Sequence, residues 1–233
     1  MAIIHNTTMN PGKLDLLQAW LPAQPWYRHG GRGPELAKAG GFRLDDPAGD
    51  VGIEFMVVTD GSGNRATTYQ VPLTYRAGPL AGAEGGLIGT AEHGVLGRRW
   101  IYDGTGDLVL VTQLVALIQG QAEPQAQSAS NTPDPTVTCQ PVVHGLLAAA
   151  RSQVAANGPS GTDLQVHTVG ADGMPNGQLL MRIYRVLRPG EGAPTADDAG
   201  QPCLSAPWRL AGGTQARGIF ATARYTQEPR ARS

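Results

Sequence analysis

The stretch LQAWLPAQPWYRHGGRG, at residues 17–33, combines aromatic and basic side chains closely enough to bind a ligand. It contains Trp20, Trp26, Arg28 and Arg32 within 13 positions of the chain. A guanidinium over an indole can brace a protein surface, and it can also form part of a sugar or phosphate site. The two arginines are therefore candidate binding residues, and the two tryptophans are candidate structural anchors.

A second stretch, EHGVLGRRWIYDG at residues 92–104, has the same character. Arg98 and Arg99 stand directly before Trp100. The same two interpretations apply, a surface held together by cation–π contact or a small basic binding site. Arg98 and Arg99 join the candidate binding residues, and Trp100 joins the candidate anchors.

The familiar signatures of catalysis and cofactor binding are absent from the sequence. It contains no G-x-x-x-x-G-K-[ST] phosphate loop, no strand–glycine–helix order of a dinucleotide-binding unit and no G-x-S-x-G nucleophile elbow. The histidines are scattered without metal-ligand spacing: His5, His29, His93, His144 and His167. We therefore predict no cofactor, no bound metal and no catalytic residue.

The composition of the chain limits the classes of binding partner and the cellular compartment that we expect. A net charge of −1 over 233 residues gives no bulk attraction to nucleic acid or to an anionic membrane. The longest apolar run, LVLVTQLVALI, is too short to span a bilayer, and the start of the chain lacks the features of a secretion signal. We expect a cytoplasmic protein in which Cys139 and Cys203 are reduced.

Two helices are predicted in the first half of the chain. Asn10 and Pro11 resemble a cap and first turn, and an apolar stripe of leucines follows until Pro22 and Pro25 end the helix. Gly106 and Asp107 should cap a second helix, from 108 to about 119, which is apolar nearly all round and should therefore be buried.

Most other segments predict strands. GFRLDD, VGIEFMVVTD, TTYQVPLTYR and a strand from about Gly97 to Tyr102 occupy the first half, with a hairpin turn at 60–64. In the second of these, Ile53, Phe55 and Val57 should face one way and the residues between them the other. TDLQVHTV, QLLMRIYRVL and a final hairpin turning at 212–213 occupy the second half.

Residues 120–136 contain three prolines and no large apolar side chain, which is typical of a linker or mobile loop. A second loose loop is predicted at 190–202. VVHGLLAAARSQVA, at 142–155, can be read as a strand followed by a helix, and the helix interpretation is favoured. The predicted fold class is α+β, with antiparallel β-sheets and a few helices. The predicted parts are an α+β part at 1–121, a linker at 122–136, a smaller β-rich part at 137–227 packed against the first, and a tail at 228–233.

The ordered series of these segments resembles the N-terminal cap of bacterial maltokinases. LLQAWLPAQPWYRHGGRG is similar to a helix ending in the family's W-L-P-x-Q-R-W-[FY] turn. YQVPLTYR, PLAGAEGGLIGT and YDGTGDLVLVTQLVALI follow in the order of the cap's later strands and helix, so that the resemblance covers about 14–120. The whole chain looks like small stand-alone proteins described as maltokinase N-terminal cap-like. In that family the aromatic turn lies away from the phosphoryl-transfer centre, which implies core roles for the tryptophans and an exposed basic rim at Arg28 and Arg32.

Further along, LLMRIYRVLRPGE resembles the maltokinase segment L-x-L-K-x-[FY]-R-x-L-x-P-G. The family's strand lysine contacts nucleotide phosphates, and here that position is Arg182, whose planar guanidinium is not equivalent to an ammonium. Neither the H-x-D-like catalytic loop nor the D-F-G-like metal-binding turn of a kinase occurs in the sequence. The resemblance therefore implies shared fold without shared catalysis.

Two functions of different class follow. The first is a non-catalytic accessory or interaction module linked to trehalose, maltose or α-glucan metabolism, which binds a protein partner, an α-glucan or another sugar. The alternative is a nucleotide- or phosphosugar-binding protein, or half of a split sugar kinase, that uses Arg182. An unrelated enzyme with a site assembled from scattered residues is the third interpretation.

Overall fold

The computed structural model describes residues 8–226 except 62, 64, 65, 141–146, 160 and 191–202. Within these residues the chain forms 14 β-strands and two α-helices. The strands are β1 (Met9–Asn10), β2 (Leu36–Leu44), β3 (Gly52–Asp60), β4 (Thr67–Arg76), β5 (Leu87–His93), β6 (Gly97–Asp103), β7 (Gln125–Ala126), β8 (Thr138–Cys139), β9 (Ala148–Asn157), β10 (Gly161–Val169), β11 (Pro175–Tyr184), β12 (Val186–Leu187), β13 (Cys203–Arg209) and β14 (Gln215–Thr226). The helices are α1 (Lys13–Trp20) and α2 (Leu108–Ile118).

All strands belong to one antiparallel sheet, which confirms the predicted predominance of antiparallel β-structure with few helices. The strand order is β1-β5-β6-β4-β3-β2-β13-β14-β11-β10-β9, and the short strands β12, β7 and β8 pair with β4, β2 and β13. Strands β1 to β6 form one half of the sheet and β9 to β11, β13 and β14 form the other. The halves meet where Trp208 of β13 pairs with Gly40 of β2.

Two hydrophobic cores lie on opposite faces of the first half of the sheet. Phe55 and Val57 of β3 belong to the larger core, whereas Met56 and Val58 belong to the smaller one, which confirms the predicted alternation. The larger core contains α2 and inward residues of both halves of the sheet, such as Phe220. The two halves therefore share buried apolar surface.

The helices follow the predicted pattern with one shift. The first helix begins at Lys13, after Gly12, because Asn10 is part of strand β1 and pairs there with Glu92. The second begins after Asp107, whose carboxylate accepts the backbone N–H of Val109 at 3.0 Å, and most of its side chains are buried as predicted. Within the described residues, neither helix has the length and apolar run that crossing a bilayer requires.

The helix predicted at 142–155 is wrong for the described part of that segment. Ala148–Asn157 is the strand β9, which pairs along β10, for example Gln153 with Gln165 and Val154 with Leu164. The alanines favour a helix locally, but β10 pairs with β9 along most of its length, with two register shifts, and this long-range pairing overrides the local preference.

The polar segment 120–136 runs against the sheet as an ordered strap. β7 pairs with β2, and the Arg43 guanidinium donates to the carbonyl oxygens of Ala126 and Ala129, both at 3.1 Å. Gln127 Nε2 donates to Glu54 Oε1 at 2.7 Å, across Gly41, where an added Cβ would collide with the carbonyl oxygen of Phe55. Hydrogen bonds from side chains thus supply the attachment that aliphatic residues do not.

The predicted hairpins of β3–β4 and β13–β14 are present, with the turn of the second at the expected glycines. Several sequence predictions lie outside the described residues: positions 62 and 64 of the turn at 60–64, most of the loop at 190–202, residues 142–146 and the tail at 228–233.

The tryptophans of the first aromatic stretch differ in burial, and their truncation should differ in cost. Trp26 is 1 % exposed and Trp20 is partly exposed, with their rings 5.7 Å apart. We expect Trp26→Ala to lower the free energy of unfolding by about 3–5 kcal/mol, as removal of a fully buried aromatic does. Trp20→Ala should cost clearly less. Urea denaturation of both variants measures the difference, and equal losses would contradict this assignment of the core.

Candidate functional site

A groove of about 490 Å³ opens where the loop after α1 faces the β13–β14 turn. Its size falls within the range of small-molecule sites. The polar lining is cationic and hydroxylic, with Arg28, Arg188, Thr67, Thr68 and Thr214, and the described lining residues include no Asp or Glu. This arrangement can donate hydrogen bonds to an anion, and none of the described lining residues carries a negative charge that would repel it.

One wall of the groove depends on Tyr69. The backbone N–H of Arg28 donates to the Tyr69 hydroxyl at 3.0 Å, so the arginine is fixed at its backbone while its side chain stays exposed. The Tyr69 ring packs 5.8 Å from the buried ring of Trp26 and 5.6 Å from that of Tyr27. Burial raises the pKa of Tyr69, although the hydrogen bond from Arg28 opposes this shift, so the hydroxyl remains neutral at physiological pH.

The other wall is attached to the same strand. Val186 of β12 pairs with Tyr69, and Leu187 pairs with Thr68, which leads the chain directly to Arg188. Gln70 N–H also donates to the carbonyl oxygen of Arg185 at 2.9 Å. Both arginines of the groove are therefore positioned from the start of β4.

Behind the groove lies Arg185, which is completely buried. Its Nη2 donates to Asp103 Oδ2 at 2.6 Å and to Thr105 Oγ1 at 3.1 Å, and its Nε donates to Thr162 Oγ1 at 2.8 Å. The guanidinium carbon lies 5.1 Å from the centre of the Trp26 ring, a cation–π contact. Hydrogen bonds at Nε and Nη2 and the face of Trp26 thus replace part of the hydration that the buried guanidinium loses, while Nη1 has no hydrogen-bond partner among the described residues.

Sequence reasoning missed Arg185, although a signal was present. The buried residues of β11 are Leu179, Met181 and Ile183, and the same period of two continues to Arg185. A charged residue at a strand position that faces the core indicates a buried partner of opposite charge.

The predicted binding arginines do not form one site. Arg28 lines the groove, and Arg32 is exposed in the following loop. Arg98 pairs with Glu92 at 2.7 Å, and Arg99 donates to the carbonyl oxygen of Leu96 at 2.8 Å. Both of these lie on the β5–β6 hairpin, away from the lining of the groove.

Arg182 lies on β11 and contacts the neighbouring strand. Its Nη1 is 3.3 Å from Asp163 Oδ1, and its guanidinium carbon is 5.8 Å from the Tyr184 ring centre. The inward residues of β11 alternate with Arg182, so it faces away from the larger core. Trp100, the third candidate anchor, is partly buried on β6.

A second polar cluster surrounds the buried carboxylate of Glu54 on β3. Lys13 Nζ donates to Glu54 Oε2 at 2.6 Å, Tyr75 donates to the same oxygen at 2.5 Å, and Gln127 donates to the other oxygen. Burial alone would raise the pKa of Glu54, but the Lys13 charge and the three hydrogen bonds outweigh it and lower the pKa below 4.5. Burial, followed by the charge of Glu54 and its hydrogen bond, raises the pKa of Tyr75 well above 10.

The other buried carboxylates are engaged as well. Asp107 binds the Arg76 guanidinium through both oxygens, at 2.6 and 2.7 Å, while it caps α2. Asp46 accepts three backbone N–H groups of its own loop, at 3.0–3.1 Å. With Glu54 and Asp103, these are the buried acidic residues of the described chain, and each stabilises structure.

The two cysteines lie on paired strands without a disulfide. Burial, with a smaller contribution from the adjacent Cys203, raises the pKa of Cys139 to about 12. Its thiol is therefore protonated at neutral pH and a poor nucleophile. Among the described residues, no three His, Cys, Asp or Glu side chains come together as metal ligands do.

Part of the chain matches a known protein family. Residues 20–107 match the maltokinase N-terminal cap domain. This match confirms the resemblance inferred from the sequence, and it runs from the end of α1 to the cap of α2. We refer to residues 20–107 as the cap-like domain. No curated protein matches the chain. Arg28, Thr67 and Thr68 lie within the matched residues, whereas Arg185 and Arg188 lie beyond them.

The Glu54 cluster predicts a pH dependence of stability. Since the pKa of Glu54 is lower in the folded protein, its contribution is fully present above about pH 4.5 and is lost as the pH falls below that value. Glu54→Gln should reduce stability at pH 7 and flatten the acid limb of the stability curve below pH 4.5. Urea melts from pH 7 to pH 3 test this, with the surface variant Glu92→Gln as control. An unchanged acid limb in Glu54→Gln would refute the assignment.

Proposed function

We propose that this protein is a non-catalytic accessory module of maltose, trehalose or α-glucan metabolism that acts in the cytoplasm by binding a partner enzyme. The cap-like domain at 20–107 supports the link to this metabolism, because maltokinases carry the same domain. Shared fold alone does not assign an activity, so the argument must rest on the side chains.

The observation that carries the proposal is the state of the buried carboxylates. A general acid, a general base or a metal ligand needs a carboxylate that faces a substrate. Glu54, Asp103 and Asp107 instead bind Lys13, Arg185 and Arg76, and Asp46 binds backbone N–H groups. These residues hold the sheet together, which is the chemistry of a scaffold.

The surface that fits a protein partner is the tip of the β5–β6 hairpin, inside the cap-like domain. Val95 is 61 % exposed and Leu96 is 46 % exposed. Arg98 and Arg99 follow them on β6. Exposed apolar side chains beside arginines are typical of protein contacts, and they suit an apolar depression rimmed by carboxylates.

A second candidate function, recognition of a phosphorylated sugar, is favoured by a different observation. The groove between Arg28 and Arg188 is cationic and of small-molecule size. Binding there and partner binding at the hairpin involve separate surfaces, so one does not exclude the other.

The purified protein should transfer no phosphate from ATP to maltose or glucose in the presence of Mg²⁺. The reason is that its buried acidic groups among the described residues are engaged in structural ion pairs or, for Asp46, in hydrogen bonds from the backbone. A coupled assay for ADP, with a maltokinase as positive control, measures this. Turnover that disappears in a variant of one of the protein's own acidic residues would overturn the proposal.

The hairpin tip makes the partner interaction testable. With a purified maltokinase as the probe, we expect Val95→Asp to weaken binding at least tenfold in a calorimetric titration, because a carboxylate would enter an apolar contact. Met174→Asp is the matched control, since Met174 is 62 % exposed on the β10–β11 hairpin. Equal binding by Val95→Asp and the unmodified protein would exclude the hairpin as the contact.

A further inference from the structure

We propose that the groove between Arg28 and Arg188 is a site for the phosphate group of a small phosphate ester, and that both arginines donate hydrogen bonds to it. This deepens the proposed function and rests on its premise that the chain binds its ligand without converting it. The site lies at the junction of the cap-like domain with strands outside the matched residues.

The first argument is electrostatic. Arg28 and Arg188 contribute two positive charges to the lining, and no described lining residue is acidic. The lining also contains the hydroxyls of Thr67 and Thr214, which donate hydrogen bonds without adding charge. A guanidinium matches the oxygens of a phosphate in pairs, so two of them suit a tetrahedral dianion better than a neutral sugar.

The second argument is preorganisation. The Tyr69 hydroxyl accepts a hydrogen bond from the backbone N–H of Arg28. The backbone of Tyr69 pairs with Val186, which lies two residues before Arg188. The same tyrosine packs on Trp26, which in turn covers the guanidinium of Arg185. The backbones of both walls are thus fixed before a ligand arrives, which lowers the entropy lost on binding.

The third argument is size. A groove of about 490 Å³ accommodates a phosphate and one or two attached rings, and it is too small for a folded protein surface. A sugar phosphate and a nucleoside monophosphate share the phosphate group and differ in what is attached to it. The apolar lining at Val186 and Leu210 can accommodate the ring of either a sugar phosphate or a nucleoside monophosphate.

Isothermal titration calorimetry with glucose 1-phosphate, AMP and maltose, at constant ionic strength, tests the site. We expect glucose 1-phosphate or AMP to bind and maltose not to bind. Arg28→Gln and Arg188→Gln should each weaken the binding at least tenfold. Arg32→Gln is the matched control, because Arg32 is exposed in the same loop but does not line the groove, and it should change affinity less than twofold.

Several results would overturn the proposal: no binding of either phosphate ester, equal binding of maltose, or a loss in Arg32→Gln equal to that in Arg28→Gln. Thermal melts confirm that the variants are folded, and ³¹P chemical shifts of the ligand report directly on contact with the phosphate. Preference for AMP or for glucose 1-phosphate identifies the attached group, and either preference supports the site. Failure here leaves the hairpin experiment untouched, whereas conversion of the ligand would overturn the non-catalytic function itself.

Discussion

The ion pair between Arg185 and Asp103 is the interaction around which the two halves of the sheet are arranged. A guanidinium that is removed from water costs several kcal/mol unless charges and hydrogen bonds replace its hydration. Here Asp103 and Thr105 come from the end of β6 and the turn after it, and Thr162 comes from β10. Trp26 closes the site from the side of α1. Displacement of either half would leave a buried charge without its partner. The relative position of the two halves is therefore tightly constrained.

This constraint also shapes the surface. β12 follows Arg185 directly, and its pairing with Tyr69 places Arg188 at the groove. Trp26 is followed by Tyr27 and Arg28, which lies on the other wall. The buried contact between Arg185 and Trp26 therefore sets the spacing of the two exposed arginines. A groove at such a junction does not belong to the cap-like domain alone, since eight of its thirteen described lining residues lie beyond residue 107.

The proposed binding role rests on the state of the charged groups. Its buried carboxylates pair with Lys13, Arg76 and Arg185, and the low pKa of Glu54 keeps its pair charged at neutral pH. The exposed polar groups of the groove are hydrogen-bond donors of the kind that recognise an anion. The cap-like fold supplies strands that hold these groups, and the proposed function rests on the groups and not on the fold.

Local sequence determined the elements whose pattern is both strong and self-contained. The alternation around Phe55, the apolar helix α2 with its cap at Asp107 and the glycine turn between β13 and β14 follow from side-chain periodicity and turn chemistry. The ordered motifs likewise sufficed to indicate the cap-like domain.

Tertiary structure decided the features that depend on distant partners. The alanine-rich β9 became a strand because β10 was available, and the strap at 120–136 was fixed by Arg43 and Gln127. The five arginines predicted to bind were separated, while Arg188 came to line the same groove as Arg28. No local pattern encodes such pairings, because the free energy of a long-range ion pair or strand pair depends on groups that only the completed fold brings within contact.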